Sequence, residues 1–219
     1  MLHVTDKKNI YKHMKLYTIK TPTIIQSLFS NYRWRFSSVP KEIYLTFDDG
    51  PTPEITEFVL SELKKHKAKA TFFCIGKNVK SHQKIYQNIL NHGHAVGNHT
   101  FNHLNGFKTN SSVYLENIKH ASAHIDSKLF RPPYGKLKAS QGKLLQKEGY
   151  KIIMWNVLSG DFDKSISPEK CLENVLGNTT NGSIIVMHDS EKAKEKIFYA
   201  LPRILAHFTK EGYTFKAVV

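Results

Sequence analysis

Five short stretches of the chain bring ionisable side chains together with backbone punctuation. In Phe47-Asp48-Asp49-Gly50-Pro51 two carboxylates stand side by side ahead of a turn. Adjacent carboxylates repel, so one keeps its proton unless a cation is near. Alone, the same letters describe an ordinary surface turn, for which Asp-Gly is a common choice. In His99-Thr100-Phe101-Asn102-His103 two imidazoles stand four residues apart. On a helical turn that spacing shares one face and chelates one metal ion. Twelve histidines make the spacing available by chance, and a second such pair, His120 and His124, flanks the apolar face of an expected helix. That pair is read as solvent-exposed. Arg131-Pro132-Pro133-Tyr134-Gly135 is a stiff loop that would hold Arg131 and Tyr134 in place. Trp155 to Phe162, with Asp161 near its end, and His188-Asp189 complete the set.

Each cluster follows an apolar stretch with the composition of a strand. Strands are expected at 43–47, 70–75, 95–97, 129–130, 151–155, 183–187 and 214–218. Helices are expected between them. One opens at Pro53-Glu54, with Ile55, Phe58, Val59 and Leu63 on its apolar face. Others cover 78–91, 111–127 (capped by Ser111 or Ser112), 139–148, 168–177 and 191–209. This rhythm predicts an α/β domain with a parallel sheet, open or closed into a barrel. Parallel strands deliver their C-terminal ends to one rim, where α/β sites gather. Two histidines and an aspartate make a sound zinc set with room for water, leaving a second aspartate and a third histidine as base and acid. Residues 1–40 show no sustained period and are expected to form an irregular extension covering the domain at 41–219, with one short helix.

Composition narrows the class. The 219 residues are 40% hydrophobic, enough to bury a core, and two cysteines exclude a disulfide miniprotein. Cys74, within Ala-Thr-Phe-Phe-Cys-Ile, reads as a buried strand residue. No apolar run is long enough to span a bilayer. Residues 1–20 carry six charged side chains without an apolar core between them, so no secretory leader is expected and the reading is cytoplasmic. Four Asn-x-Ser/Thr sequons, starting at Asn98, Asn110, Asn178 and Asn181, are then chance occurrences. The net charge is +14, with eight basic and two acidic residues in the first 42. Such a surface favours contact with anionic polymers, but no nucleic-acid recognition motif accompanies it, so no nucleic-acid partner is expected.

Taken in order, Thr46-Phe47-Asp48-Asp49-Gly50, His99-Thr100-Phe101-Asn102-His103, Arg131-Pro132-Pro133-Tyr134-Gly135, Gly160-Asp161-Phe162 and Val186-Met187-His188-Asp189 resemble the five motifs of the polysaccharide deacetylase family (NodB homology, carbohydrate esterase family 4). The resemblance implies a single-domain distorted (β/α) barrel of seven strands. It implies removal of N-acetyl groups from GlcNAc-type sugars, in peptidoglycan or a chitin-like oligosaccharide, by attack of a metal-bound water. By the same resemblance Asp49, His99 and His103 hold one divalent metal, Zn2+ first and Co2+ or Ni2+ next. Asp48 is the general base and His188 the general acid. Arg131 keeps Asp48 ionised, and Asp161 orients His188 and favours its protonated form. The Tyr134 backbone N–H helps stabilise the oxyanion. Val186 lines the acetyl-methyl pocket. The fourth motif departs from the family in ending Asp161-Phe162 where Asp-Trp is usual, which loses an indole N–H and some wall area.

Two alternatives remain beside this reading. The same fold hosts hydrolases of other C–N bonds, acting on a small amide or a lipid-linked sugar; the expected lack of a leader and Phe162 both lean that way. A non-catalytic carbohydrate-binding module would have shed a ligand or Asp48, and all are present. An open trough would suit a polymer, and a closed cup a small amide.

Overall fold

β1 (Glu42–Asp48) shows how the sheet is built, because every residue from Ile43 to Asp48 is buried. Burial on both faces is the mark of a strand inside a parallel sheet covered by helices. The computed structural model describes residues 17–36 and 41–219. Part of the expected N-terminal extension, and most of the stretch read as leaderless, lie outside the described residues.

In chain order the elements are α1 (Thr23–Leu28), β1, α2 (Ile55–Lys65), β2 (Ala70–Cys74), α3 (Gly76–Ser81), α4 (Gln83–Asn91), β3 (Ala95–Asn98), α5 (Ser111–Ser122), β4 (Leu129–Phe130), α6 (Ala139–Lys147), β5 (Lys151–Ile152), β6 (Val157–Leu158), α7 (Pro168–Leu176), β7 (Ile184–His188), α8 (Lys194–Lys210) and β8 (Thr214–Phe215). The strands pair in the order β5-β4-β3-β2-β1-β7-β6, all parallel, and β8 joins the start of β1. Seven strands thus curl into the half-barrel of a distorted (β/α) barrel, in one α/β domain. Register aligns the strand ends: Asp48 sits opposite both Phe73 and His188, and Asn98 opposite Cys74 and Phe130.

Residues 17–36 run between the two outer edges of this sheet. Lys20 bridges Val157 at the start of β6, while Arg33 bridges Ile153 just past β5. The main core lies between the sheet and α2, α7 and α8, where Ile55, Val59 and Leu63 meet Leu201, Ile204 and Leu205. A second cluster, with Trp34, Tyr114, Phe130 and Tyr150, sits under α5 and α6. Cys74 and Cys171 are both buried and unpaired.

Several expected elements change on folding. The helix at 78–91 is two helices, broken at His82 (φ −129°, ψ 50°). The start of α3 is tied to the rim by Asn78 Nδ2 donating to Asp49 O at 2.7 Å, while α4 buries Ile85 and Ile89. α5 is capped by Asn110, whose side chain accepts from Ser112 N–H, and not by Ser111 or Ser112. It ends at Ser122, so His124 lies beyond it. The strand expected at 151–155 stops at Ile152, because the carbonyls of Ile153 and Met154 accept from the Arg131 guanidinium. β6 lies inside the fourth polar cluster, so the polar end of that cluster, with Asp161, follows β6 and not β5. The last long helix begins as a 3₁₀ turn at Glu191–Ala193 before α8.

Candidate active site

At the end of β1 the chain turns sharply, and Asp49 sits at φ 81°. Left-handed backbone is uncommon for a residue with a Cβ, though Asp tolerates it. Thr100 (φ 64°), His103 (φ 56°) and Tyr134 (φ 60°) share this strained geometry. Among the described residues, four of the six such residues with a Cβ therefore fall within or beside three of the polar clusters, where strain that aims side chains is expected to collect. The turn is supported from below by Asp189, fully buried, which accepts from Gly50 N–H at 3.0 Å and from Thr56 Oγ1 at 2.6 Å. A Cβ on Gly50 would fall 2.0 Å from the Asp189 carboxylate, so only glycine fits. Burial pushes the Asp189 carboxyl up to about 8, well above the usual carboxylate range.

His99 and His103 do not share a helical turn. The 99–103 segment is irregular, with Thr100 and His103 in left-handed backbone. The imidazoles still converge, their centroids 5.1 Å apart. His99 Nε2 lies 3.7 Å from Asp49 Oδ1, and His103 Nε2 lies 3.1 Å from it. That carboxylate oxygen is buried yet has no hydrogen-bond donor in proper geometry. The far nitrogen of each ring is engaged: His99 Nδ1 with Arg131 O at 2.7 Å, His103 Nδ1 with Tyr134 Oη at 3.1 Å. Ring N–H groups held this way leave both Nε2 atoms as donors to a cation. Burial pushes the His99 imidazole down to about 4, which keeps it neutral. Burial alone would raise the Asp49 carboxyl, but the imidazoles of His103, His188 and His99 override it and hold it well below the usual carboxylate range. An orphaned anionic oxygen facing two free imidazole nitrogens fits one divalent cation, and the three ligand atoms lie within 4.8 Å of one another.

Asp48 stands beside this set. Its Oδ1 accepts from Arg131 Nη1 at 2.7 Å, and its Oδ2 lies 4.0 Å from His99 Nε2. Arg131 is fully buried, and its guanidinium also donates to Thr46 Oγ1, Ile153 O and Met154 O, with Phe73 stacked at 4.1 Å. Opposite, His188 Nδ1 contacts Asp161 Oδ1 at 2.7 Å, while His188 N–H donates to Asp161 Oδ2 at 2.7 Å. Burial lowers this imidazole, but the Asp161 carboxylate overrides it and pushes it up to about 9. Since the folded value exceeds the ordinary 6.5, the stability it contributes is complete below that value and is lost as pH rises through about 9. In Asp161→Asn the His188 titration should fall back toward or below the ordinary value. NMR of the imidazole checks this, and an unmoved midpoint would reject Asp161 as the cause.

A pocket of about 500 Å³ opens over these groups. Eight of the ten residues singled out from sequence line it: Asp48, Asp49, His99, His103, Tyr134, Phe162, Val186 and His188. Arg131 and Asp161 lie behind it, fully buried. Tyr17, Lys136 and Lys192 also line it and were not anticipated; no motif surrounds them. Trp155 and Leu158 do so from inside the fourth cluster. The rival pair stays apart from the site. His120 is exposed and stacks on Phe101, centroids 3.7 Å apart, and His124 is half-buried rather than fully exposed.

Fold and site together define a class: a parallel α/β domain whose rim gathers one carboxylate and two imidazoles with ligand atoms within 4.8 Å of one another, flanked by an arginine-held carboxylate and a carboxylate-held histidine. The chain belongs to the polysaccharide deacetylase family, whose sequence model, described as polysaccharide deacetylase, matches residues 37–153. It is 38% identical over 172 residues to a peptidoglycan-N-acetylglucosamine deacetylase of Bacillus cereus, covering 75% of this chain and 62% of that protein. It thus spans less than two thirds of that relative. A chitooligosaccharide deacetylase of Azorhizobium caulinodans is 33% identical over 162 residues, covering 71% of this chain and 77% of that one. Among solved structures, the Bc1960 peptidoglycan N-acetylglucosamine deacetylase superposes with a TM-score of 0.83 at 32% identity, over 90% of this chain and 95% of that one. No described helix is long and apolar enough to cross a membrane.

Proposed function

We propose that this chain hydrolyses the N-acetyl group of an N-acetylglucosamine-type saccharide, releasing acetate and a free amino sugar. One observation carries the reading: the buried Asp49 oxygen without a donor, 3.1 and 3.7 Å from two imidazole nitrogens, directly beside an arginine-held Asp48. A divalent cation, Zn2+ first among candidates, would be held by Asp49, His99 and His103, and would supply Lewis acidity toward water and the amide carbonyl.

The chain's own groups do the rest. Arg131 occupies Asp48 Oδ1 and leaves Oδ2 to take a proton from the attacking water. Asp161 occupies His188 Nδ1 and leaves Nε2 to deliver a proton to the departing nitrogen as the C–N bond breaks. With its pKa near 9, His188 carries that proton at neutral pH. The Tyr134 backbone N–H, within the Pro133–Gly135 turn, would serve as an oxyanion donor. Val186 and Phe162 supply an apolar wall for the acyl methyl.

The pocket continues past Asp49, His103 and Lys192 into a second groove of about 360 Å³ lined by Pro51, Asn78 and His82. A trough that runs on past the reacting group supports an oligosaccharide over a small amide. The two relatives named for peptidoglycan and for chitooligosaccharide share N-acetylglucosamine, which supports that unit as the one recognised.

Acetate release from an N-acetylglucosamine tetramer tests the reading. It should vanish with a chelator and return with Zn2+; activity indifferent to chelation would overturn it. His188→Ala should lower kcat by about 10²–10⁴ while metal stoichiometry is kept. Parallel loss of metal would make His188 a ligand instead.

A further inference from the structure

The pocket wall beside His188 is assembled from two segments far apart in the chain. Phe162 sets its ring edge-on to His188, centroids 5.2 Å apart at 73°. Tyr17, from the segment ahead of β1, sets its ring edge-on to Phe162 at 5.2 Å and 60°. The Tyr17 hydroxyl donates to Asp163 Oδ2 at 2.5 Å. Asp163 is itself fixed in the turn that carries Asp161 and Phe162: its N–H donates to Gly160 O at 2.9 Å, and its Oδ1 accepts from Ser165 N–H and Oγ at 2.8 and 2.7 Å. The Tyr17 segment is pinned to the same region by Leu158 N–H donating to Ile19 O at 2.8 Å and Thr21 N–H donating to Asn156 O at 3.0 Å. The approach is close enough that a Cβ on Gly160 would lie 3.3 Å from the Tyr17 hydroxyl.

We propose that Tyr17 is a specificity-determining residue of the pocket, its ring extending the Phe162 wall against which the N-acetylated sugar unit packs. This deepens the function proposed above and rests on it. A phenyl ring at position 162 is a smaller wall than an indole, and Tyr17 lines the pocket next to it. The residue is half-buried and lines the pocket. With its hydroxyl tied to Asp163, it loses little further freedom when a sugar packs on it.

Steady-state acetate release from the N-acetylglucosamine tetramer, with melting temperatures alongside, tests this. Tyr17→Ala should raise KM about tenfold, the scale of one lost aromatic contact, and leave kcat within about threefold. Tyr17→Phe, which keeps the ring, should raise KM by no more than about threefold. A wild-type KM in Tyr17→Ala overturns the proposal. So does Tyr17→Phe proving as damaging as Tyr17→Ala, since the bond to Asp163 would then be a clamp on the fold. If the wild type releases no acetate, the proposed function fails, and calorimetric titration with the tetramer reads this inference separately. A Kd about tenfold weaker in Tyr17→Ala upholds it, and an equal Kd overturns it.

Discussion

Replacing Asp49 with Ala should yield a protein that retains no stoichiometric Zn2+ and releases acetate only at the background rate. Asp49 Oδ1 is the one anionic ligand atom facing His99 Nε2 and His103 Nε2 among the described residues that form the cluster. Without it, two neutral imidazoles remain, and neutral donors hold a divalent cation far less firmly than a set containing a carboxylate. Alanine at φ 81° also adds backbone strain of about 1–2 kcal/mol. Asp49→Asn is the sharper variant, because Asn tolerates left-handed backbone and keeps the shape of the side chain. Its Zn2+ affinity should fall by more than about 100-fold, beyond the effect usual for losing an outer partner of a ligand, with little change in melting temperature. Metal analysis and calorimetric Zn2+ titration measure this. Wild-type affinity in Asp49→Asn would remove Asp49 from the ligand set.

Arg131→Met should destabilise the fold and silence the enzyme together. The guanidinium has no solvent exposure, and its donors go to Asp48, Thr46 and two backbone carbonyls. Methionine fills much of the space but leaves the buried Asp48 without a counter-charge, and breaking a buried pair in this way costs about 3–5 kcal/mol. For a chain of this size that is a fall in Tm of roughly 6–20 °C. Replacing both partners, Arg131→Met with Asp48→Leu, should recover part of the lost stability because no uncompensated charge remains. The double variant should still release no acetate, since the proposed base is gone. Melting curves of the two variants decide the matter. A single variant that melts within about 2 °C of wild type, or a double variant no more stable than the single, would show that the pair does not hold this rim.

The strand–helix rhythm was legible because the strands are buried on both faces and read as short apolar runs between helical periods. The five clusters were legible because each follows such a run. Boundaries were less so. The break at His82 follows from two helical faces answering to different partners, one the rim and one the sheet. β6 was invisible because its two residues, Val157 and Leu158, owe their strand geometry to β7 and to Ile19 across the chain.

By itself, the sequence determined which chemical groups are present and that they belong to one rim: side-chain identity and the order of strands are local properties, and parallel topology carries each strand end to the same edge. Tertiary structure decided how those groups are aimed. It showed that His99 and His103 converge from an irregular loop and not from a helix, that Arg131 is caged by the carbonyls of Ile153 and Met154, that Asp189 supports the turn at Gly50, and that Tyr17 reaches Phe162. Each of these contacts joins residues distant in the chain, and no local period or spacing encodes where a folded backbone brings them together.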